Sequence, residues 1–567
     1  MATATFGPER RRETLARMAS EEFDIVVIGG GVTGAGIALD AATRGLSVAL
    51  VEQRDFASGT SSRSSKLIHG GLRYLEQLNF GLVREALKER GLMLERLCPH
   101  LVKPVPFLFP MTHRAWERFY IGSGVLLYDT IGGAGSVPRH KHLSKTKALE
   151  LFPSLHPDRL TGAIRYYDAQ VDDARHTMMI ARTAARFGAL CATSARVTDL
   201  LTDDGRVVGA RVRDLEDGEE DFELRGRHTI NATGVWTDEV LGMISADAPF
   251  KVRASKGIHF TVPRRRIHAD TGLIIRTETS VLFVIPWKQH WIIGTTDTDW
   301  HLDLAHPAAT RSDIDYLLDH VNSVLIDPLT HDDIEGVYAG LRPLLSPGEG
   351  SSTSALSREH AVAEVTPGLS AISGGKYTTY RVMAKDAVDF AAQQLGSSTS
   401  SVTEEVPILG ADGYAAMWNA RQRIAQERGL SVETVEHLLN RYGSLIEDIF
   451  ALMDEREDLA KPLEGAETYL AAEVAYAASH EGALHLEDVL TRRTRITFEV
   501  DDRGRLAARM AAGIMAEALG WDEATIKHEI ELYESRVEAQ IEGEQKDDDE
   551  AADAARREAQ DVRVGAS

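Results

Sequence analysis

Short apolar runs that end at turn residues mark the start of the chain. Residues 23–28 are mostly apolar and run directly into three glycines, 29–31, which are followed by a stretch of small residues. A second apolar run, 47–51, ends at Glu52. Short apolar runs of this kind are typical of buried strands, and the small residues between them favour a helix. The pattern therefore predicts a strand–helix–strand unit from about residue 23 to residue 52.

Further along, helical and strand-like patterns alternate. Apolar residues recur at helical spacing over 80–97 and 175–187, which predicts two helices. The runs 195–201 and 207–213 flank an Asp-Gly turn and predict a pair of adjacent strands. Residues 252–296 contain several short alternating runs, as expected for an antiparallel sheet.

The last part of the chain has a different character. Residues 372–381 repeat the order of strand, glycine turn and helix, but after about residue 410 the pattern is almost wholly helical. The final stretch, 543–567, is acidic and poor in apolar residues, so we expect it to be disordered. The first 20 residues lack the apolar core of a secretory signal and are expected to form a frayed leader.

These patterns predict an α/β fold, α+β overall. A Rossmann-like dinucleotide-binding domain is interleaved with an antiparallel-sheet domain, and a helical domain follows. The expected boundaries are a flexible leader at 1–20; a discontinuous cofactor-binding domain at 21–90, 150–247 and 336–398; a β-rich substrate domain at 91–149 and 248–335; a helical C-terminal domain at 403–542; and a disordered acidic tail at 543–567.

The glycine cluster carries the first chemical signal. Gly29 permits a tight strand-to-helix turn, Gly31 lets the backbone approach a pyrophosphate, and Gly34 lets the helix lie close to the strand. The helix N-terminus presents N–H groups and partial positive charge to phosphates. Glu52 can accept both ribose hydroxyls and would repel a 2′-phosphate, which favours FAD or NAD over NADP. The fingerprint alone does not separate FAD from NAD, and a glycine-rich turn without a ligand is the alternative.

Composition narrows the class of protein. The formal net charge of −23 argues against nucleic acid as a partner and requires a locally basic pocket for any anionic substrate. The two cysteines, Cys98 and Cys191, fit no metal-binding or redox spacing, so we expect no metal site and no disulfide framework. A reducing cytoplasm is the natural compartment. The chain also lacks an apolar stretch of about 18 residues that would span a membrane.

Several separate segments resemble one family. Residues 61–75 resemble the flavin-binding signature of FAD-dependent glycerol-3-phosphate dehydrogenases of the aerobic, respiratory type. The segments 171–175, 293–297, 338–344 and 374–381 are similar to other parts of the same family. The similarity extends from about residue 21 to residue 540. The departures are small: Ser58-Gly59 stands where relatives can have cysteine and alanine, and the acidic tail lies outside the pattern.

The resemblance implies a reaction and its partners. It implies oxidation of sn-glycerol 3-phosphate to dihydroxyacetone phosphate, with hydride passing from substrate C2 to N5 of FAD. A respiratory quinone would reoxidise the flavin, and a homodimer is compatible with the pattern.

The resemblance and the glycine fingerprint together imply the set of residues that binds the cofactor. The set comprises Ile28, Gly29, Gly31, Thr33, Gly34, Glu52, Thr60, Ser61, Ser65, Lys66, Leu67, His69, Gly71, Val197, Ala232, Thr233, Gly234, Gly375, Lys376 and Thr378.

The substrate would be a small phosphorylated alcohol, and its dianion favours arginine, which forms bidentate charge-assisted hydrogen bonds. The resemblance places three arginines at this pocket, although each could instead be a surface ion-pair residue. The expected substrate-binding residues are Arg73, Tyr74, Arg342, Arg358 and Lys376.

Removal of the C2 hydroxyl proton requires a base. The expected catalytic residues are Arg342, His259 and His69. His259 is the first candidate for the base, and its ordinary titration range predicts a loss of activity as the pH falls through neutrality. A hydrogen-bonded core histidine is the alternative for His259, whereas His69 is expected to support or contact the flavin. Lys376 would stabilise negative charge on reduced flavin or on the substrate phosphate, or else face solvent.

Three other functions remain open. An oxidase that uses O2 and makes H2O2 would differ only in the electron acceptor. Amino-acid or amine oxidases of similar architecture would need carboxylate clamps and an apolar pocket rather than several cations. A non-enzymatic module stabilised by flavin would use the helical C-terminal domain as an interaction surface.

Membrane contact is an expectation from residues 107–128. This stretch is apolar and aromatic, with interleaved basic residues such as Arg114 and Arg118, as in an interfacial segment. A core helix with a loop is the alternative. We therefore expect a cytoplasmic protein that can bind peripherally to the inner face of the cell membrane.

Overall fold

The computed structural model describes residues 5–71, 80–112, 137–216, 221–244, 250–277, 281–346 and 359–563. Twenty strands are described within these ranges: β1 (Glu22–Ile28), β2 (Val48–Val51), β3 (Leu67–Ile68), β4 (Val102–Met111), β5 (Lys141–Ser144), β6 (Gly162–Val171), β7 (Leu190–Ala192), β8 (Ala195–Asp203), β9 (Arg206–Asp214), β10 (Asp221–Asn231), β11 (Lys251–Pro263), β12 (Gly272–Arg276), β13 (Val281–Trp287), β14 (His290–Gly294), β15 (Thr298–Trp300), β16 (Gly336–Ser346), β17 (His360–Thr366), β18 (Leu369–Gly374), β19 (Pro462–Leu463) and β20 (Ala466–Leu470).

Sixteen α-helices accompany them in the same ranges: α1 (Pro8–Ser20), α2 (Val32–Thr43), α3 (Phe80–Leu92), α4 (Lys145–Leu151), α5 (Asp173–Arg186), α6 (Thr237–Leu241), α7 (Arg311–Asn322), α8 (Tyr380–Gln394), α9 (Tyr414–Arg428), α10 (Val432–Tyr442), α11 (Ile446–Glu455), α12 (Ala471–His480), α13 (Ile496–Glu499), α14 (Arg505–Leu519), α15 (Glu523–Gly543) and α16 (Asp549–Glu558). The predicted α/β class with a helical C-terminal region is confirmed.

The first sheet contains eight strands and carries the predicted dinucleotide unit. Its main path is β17-β18-β10-β1-β2-β7, and the hairpin β8–β9 continues from β10. Strand β1 lies parallel between β10 and β2. Helices α2, α5 and α8 cover one face of the sheet in a shared apolar core. Because both faces of the central strands are buried, these strands appear in the sequence as continuous apolar runs.

The second sheet contains ten strands in the main order β15-β11-β14-β13-β12-β4-β6-β3, with β16 beside β11 and β5 beside β6. Most neighbours are antiparallel, as predicted for 252–296. Three of its strands lie in ranges expected for the cofactor domain. These are β3 in 21–90, β6 in 150–247 and β16 in 336–398, and all three pair in this second sheet.

The helical C-terminal region has its own apolar core, formed mainly by α9–α12 and α14. Buried ion pairs join it to the cofactor-binding part. Arg175 on α5 forms two hydrogen bonds to Glu481, and both side chains are fully buried. Arg493 binds both carboxylate oxygens of Asp55 at 2.7 Å. Breaking one side of such a pair leaves an uncompensated buried charge, so these contacts hold the two parts in a fixed relation.

Both termini are more ordered than expected. The predicted leader contains helix α1, whose Arg11 donates hydrogen bonds to the carbonyl oxygen of Thr193 and to Asp214. The predicted disordered tail contains helix α16, and Arg563 after it is only 2% exposed. These two expectations were wrong because the polar residues of each segment find buried charge partners far away in the chain.

The predicted interfacial stretch is only partly described. Its first residues belong to β4, where Phe107 and Phe109 are buried in an apolar cluster, so this part does not form an interfacial anchor. Residues 113–128 lie outside the described ranges. Among the helices that the structure describes, none has the length and apolar character needed to cross a membrane.

Candidate active site

A cavity of about 800 Å³ lies between the two sheets. Its walls include the carboxyl ends of the parallel strands β1 and β2, and residues of β11 and β16 from the second sheet. Ligands of open α/β sheets bind in such a crevice, outside the carboxyl ends of the strands. The interleaved order of the chain therefore brings the glycine fingerprint to one site with two predicted substrate residues, Arg342 and Lys376.

At one end of the cavity, the turn after β1 is shaped for phosphate. Gly29 has a φ of 110°, and a Cβ there would lie 2.8 Å from the carbonyl oxygen of Ala232. Helix α2 begins at Val32 after Gly31, which brings no side chain to the helix N-terminus. Ser61 accepts a hydrogen bond from the Val32 amide at 2.9 Å and adds a hydroxyl beside this helix end.

Glu52 lies at the end of β2 and is held by two backbone groups. Its Oε2 accepts from the Gly30 amide at 2.6 Å, and its Oε1 accepts from the Arg54 amide at 2.8 Å. Burial raises the pKa of Glu52 above its ordinary value. These bonds fix the carboxylate at the cavity wall and leave lone pairs for further donors.

The residues present fit a dinucleotide cofactor. The glycine turn, the helix N-terminus and the fixed acid supply acceptors and donors of the kind that phosphates and ribose hydroxyls require. In addition, Nδ1 of His259 is buried without a hydrogen-bond partner among the described residues, although His259 borders the cavity. An orphaned buried polar atom of this kind suits a site that receives a bound group.

Arg342 reaches the cavity from β16. Its Nη2 donates to Oγ1 of Thr295 at 3.1 Å and to the carbonyl oxygen of Thr296 at 3.2 Å, and its Nη1 lies 3.4 Å from Oδ1 of Asp297. Gly257 on the neighbouring strand makes room for this side chain, because a Cβ there would lie 2.5 Å from Nη2. About a quarter of the Arg342 side chain remains exposed, and the residue lines the cavity.

His259 lies on β11 and is 2% exposed. Its Nε2 is hydrogen-bonded to Oγ of Ser65 at 2.8 Å, and its ring stacks on Tyr338 with centroids 4.9 Å apart. Burial, reinforced by the charges of Arg342 and Lys66, holds the pKa of His259 well below its ordinary range. The imidazole is therefore neutral at neutral pH, and titration near neutrality, which the sequence suggested, does not apply.

Most of the predicted cofactor residues border the same cavity. Those that do are Ile28, Gly29, Gly31, Thr33, Glu52, Thr60, Ser61, Ser65, Leu67, His69, Gly71, Val197, Ala232, Thr233, Gly234, Gly375 and Lys376. Their convergence places residues from six separate segments around one space, although the contact of each with a cofactor remains a prediction.

Three predicted cofactor residues do not border the cavity. Gly34 lies inside α2, where a Cβ would approach the Gly29 carbonyl oxygen to 1.9 Å, so it keeps the helix close to the turn. Thr378 exchanges hydrogen bonds with the backbone of His69. Lys66 is fully buried and pairs with Asp173 at 2.9 Å, because its ammonium group needs a compensating charge away from solvent. Direct contact of these three residues with a cofactor stays a prediction.

Arg73, Tyr74 and Arg358 lie outside the described residues, and their place at the substrate pocket stays a prediction. Several lining residues were not predicted. They include Arg54, Arg63, Asp297, Trp236 and Arg276. Arg54 follows Glu52 by two positions and Asp297 ends a segment with family similarity, so both had a local signal, whereas Trp236 and Arg276 had none.

Comparison with known proteins identifies the family. The model of the FAD dependent oxidoreductase family matches residues 24–381, and the model of the C-terminal domain of alpha-glycerophosphate oxidase matches residues 401–526. Over 562 residues the chain is 57% identical to a glycerol-3-phosphate dehydrogenase of Mycobacterium leprae, covering 99% of this chain and 96% of the relative. The chain belongs to the FAD-dependent glycerol-3-phosphate dehydrogenase family.

More distant members agree with this assignment. The mitochondrial glycerol-3-phosphate dehydrogenase of Homo sapiens is 37% identical over 546 residues, which cover 92% of this chain and 74% of the relative. The crystal structure of a Bacillus halodurans glycerol-3-phosphate dehydrogenase complexed with FAD matches with a TM-score of 0.78 and 29% identity, covering 94% of this chain and 98% of that chain. This flavoprotein is thus an oxidoreductase with FAD as its cofactor, as predicted.

The phosphate turn provides a test of where FAD binds. We expect Gly31→Leu to yield folded protein with little or no bound flavin, because the new side chain would occupy the approach to the helix N-terminus. The absorbance of bound flavin after desalting measures the loss. Gly45→Leu is not a suitable control because Gly45 has a φ of 81°, so we choose Gly513→Leu, where a Cβ meets open space. Full flavin content in Gly31→Leu would contradict this placement.

Proposed function

We propose that this flavoprotein oxidises sn-glycerol 3-phosphate at C2 to dihydroxyacetone phosphate and passes the electrons to a respiratory quinone. The observation that supports the substrate most directly is the meeting of a partly exposed Arg342 and a neutral His259 at one cavity wall. A phosphorylated secondary alcohol needs both a cation for its phosphate and a base for its hydroxyl. The names of the relatives support the same substrate.

Binding of the phosphate would rest on Arg342 and Lys376. Asp297 and the Thr295 hydroxyl orient the Arg342 guanidinium before any ligand arrives. Such preorganisation reduces the entropy that substrate binding would otherwise cost. Arg73, Tyr74 and Arg358 are proposed partners of the phosphate on the strength of their motifs alone.

Removal of the hydroxyl proton would fall to His259. If Nε2–H donates to Ser65, the neutral ring keeps Nδ1 as the proton acceptor. Stacking on Tyr338 restricts rotation of the ring, so the acceptor keeps one direction. When bound, FAD supplies the acceptor for the hydride that leaves C2.

His69 and Lys376 would act from other sides of the site. The His69 amide donates to Oγ1 of Thr378 at 3.1 Å, which ties the flavin-signature loop to the segment that carries Lys376. Lys376 would place positive charge beside the cavity and stabilise negative charge that develops on the reduced cofactor or the phosphate.

The proposed electron acceptor is a membrane quinone. A quinone is apolar and lies in the bilayer, so an enzyme that uses it should touch the membrane, and residues 113–128 are the proposed contact. A cytoplasmic enzyme with peripheral attachment fits this role. An oxidase that transfers electrons to O2 is the second candidate, because the model that matches residues 401–526 takes its name from an oxidase.

The phosphate clamp can be tested with two variants. Arg342→Ala should lower kcat/KM for glycerol 3-phosphate by about a hundredfold, which corresponds to one charge-assisted contact of about 2–3 kcal/mol. Gly257→Ala keeps the charge but displaces the guanidinium, so it should show a similar defect. Both should retain flavin. The exposed Arg265→Ala is the control. If Arg342→Ala still preferred glycerol 3-phosphate over glycerol as strongly as wild type, Arg342 would not be the clamp.

The base can be tested by the pH dependence of turnover. Because the pKa of His259 is lowered, kcat/KM should stay constant as the pH falls from about 8 to below 6.5 and should decline only in more acidic solution. His259→Asn keeps polarity without basicity and should lose both rate and this acid limb. His268→Asn, at an exposed histidine, is the matched control. An acid limb that persists in His259→Asn would assign the base elsewhere.

The acceptor can be tested with purified holoenzyme. Flavin reduced by anaerobic glycerol 3-phosphate should be reoxidised rapidly by a water-soluble quinone analogue and slowly by air. Stopped-flow absorbance of the flavin measures both rates, and the yield of H2O2 is recorded in parallel. Reoxidation by air at the full turnover rate, with stoichiometric H2O2 and no stimulation by quinone, would replace the quinone proposal with the oxidase.

A further inference from the structure

The described part of the chain continues well beyond residue 526, where the match to the family model of the C-terminal domain ends. We call residues 549–563 the C-terminal strap. Helix α16 within it has a buried inner face that includes Ala552 and Ala555. After α16 the described residues continue to Arg563, whose side chain is 2% exposed. A polar segment that is buried to this extent has specific partners.

One half of the strap is fastened to the second sheet. Asp549 forms an ion pair with Lys256 on β11, which immediately precedes the cavity residue Gly257. Oδ1 of Asp553 accepts a hydrogen bond from the Asp303 amide at 3.1 Å. The strap therefore starts beside the strand that carries His259.

The other half of the strap reaches the turn between Glu52 and Arg54. Asp561 forms an ion pair with the guanidinium of Arg54 and is 2.8 Å from Nε2 of His306. Burial lowers the pKa of His306 to about 4, so this ring is neutral at neutral pH. Arg54 is only 7% exposed, and Asp561 is the residue of the strap that compensates its charge.

A second contact from the strap converges on the same turn. Nε of Arg563 donates to Oγ of Ser194 at 2.6 Å, and its other nitrogens bind both carboxylate oxygens of Asp488. The Ser194 amide donates to the Arg54 carbonyl oxygen at 2.8 Å. The side chain and the backbone of Arg54 are thus both held by residues of the strap or by their direct partners.

The consequence for the cofactor site lies in the Arg54 amide, which donates to Oε1 of Glu52. We propose that Asp561 and Arg563 are positioning residues of the cofactor site: they fix the Glu52–Arg54 turn and so slow the release of FAD. The proposal rests on the FAD assignment and not on the identity of the oxidised substrate. Asp561 and Arg563 should therefore affect mainly how long FAD stays bound, because differences in affinity appear mostly in dissociation rates.

The test is the rate of FAD release from full-length holoenzyme, followed by flavin fluorescence after dilution. Asp561→Asn preserves the shape of the side chain and removes its charge, so FAD release should be about tenfold faster. This effect is smaller than the loss of stability caused by breaking a buried ion pair, because Asp561 acts on the cofactor only through Arg54. Asp561→Glu should recover much of the slow release. The matched control is Glu550→Gln, an exposed acid on the same strap, which should behave as wild type.

A second readout separates positioning from general stabilisation. The melting temperature of Asp561→Asn should fall more with FAD bound than without it. If Asp561→Asn did not accumulate as folded protein, Asp553→Asn would replace it. This variant loosens the same strap and should accelerate FAD release to a smaller extent. The proposal would be overturned if Asp561→Asn released FAD at the wild-type rate, whether or not its melting temperatures with and without FAD fell equally. Neither measurement uses glycerol 3-phosphate, so failure of the proposed reaction would leave the result unaffected.

Discussion

The hydrogen bonds and ion pairs of one buried carboxylate, Asp173, hold the loop that carries Ser65 in place. Its Oδ2 accepts from the amide and the hydroxyl of Ser64, and its Oδ1 accepts from Lys66 and from Arg495 of the C-terminal region. A carboxylate without solvent is costly unless charged donors surround it. By satisfying Asp173, the chain ties the loop that carries Ser65 to the cofactor-binding part and to the helical C-terminal region at once. The C-terminal region is therefore part of the support of the site.

The two sheets divide the chemistry between them. The parallel sheet provides backbone groups at the ends of its strands, where one glycine turn and one acid suit a dinucleotide. The second sheet provides charged and titratable side chains, and the pairing of β11 with β16 places His259 opposite Tyr338 and Ser255 opposite Arg342. Because these are neighbouring strands, the register of one pair of strands sets the distance between the proposed base and the proposed phosphate clamp. A shift of β16 by one residue would turn Arg342 to the other face of the sheet and away from His259.

Local patterns were enough to predict the strand–helix–strand unit, the acid at Glu52 and the antiparallel character of 252–296, since each depends on residues close in sequence. The errors arose where the deciding partner is distant. Lys66 lies in the flavin signature, but its partner Asp173 is 107 positions away. The acidic composition of 543–567 indicates disorder, and only the tertiary structure shows the buried cations that hold it. The unusual neutrality of His259 likewise depends on burial, which the alternation of a single strand does not reveal.

The pair between Arg54 and Asp561 joins residues that are 507 positions apart. Chains are synthesised from the N-terminus, and domains generally fold as they emerge. The glycine turn and Glu52 are translated long before the residues that hold their turn in place, because Asp561 follows Arg54 by 507 positions. A nascent chain can therefore form the first sheet's local unit long before its cofactor site is complete. Under the proposed role of Asp561 and Arg563, lasting capture of the flavin waits for the synthesis of this distant segment and marks the point at which the ends of a long stretch of chain have met.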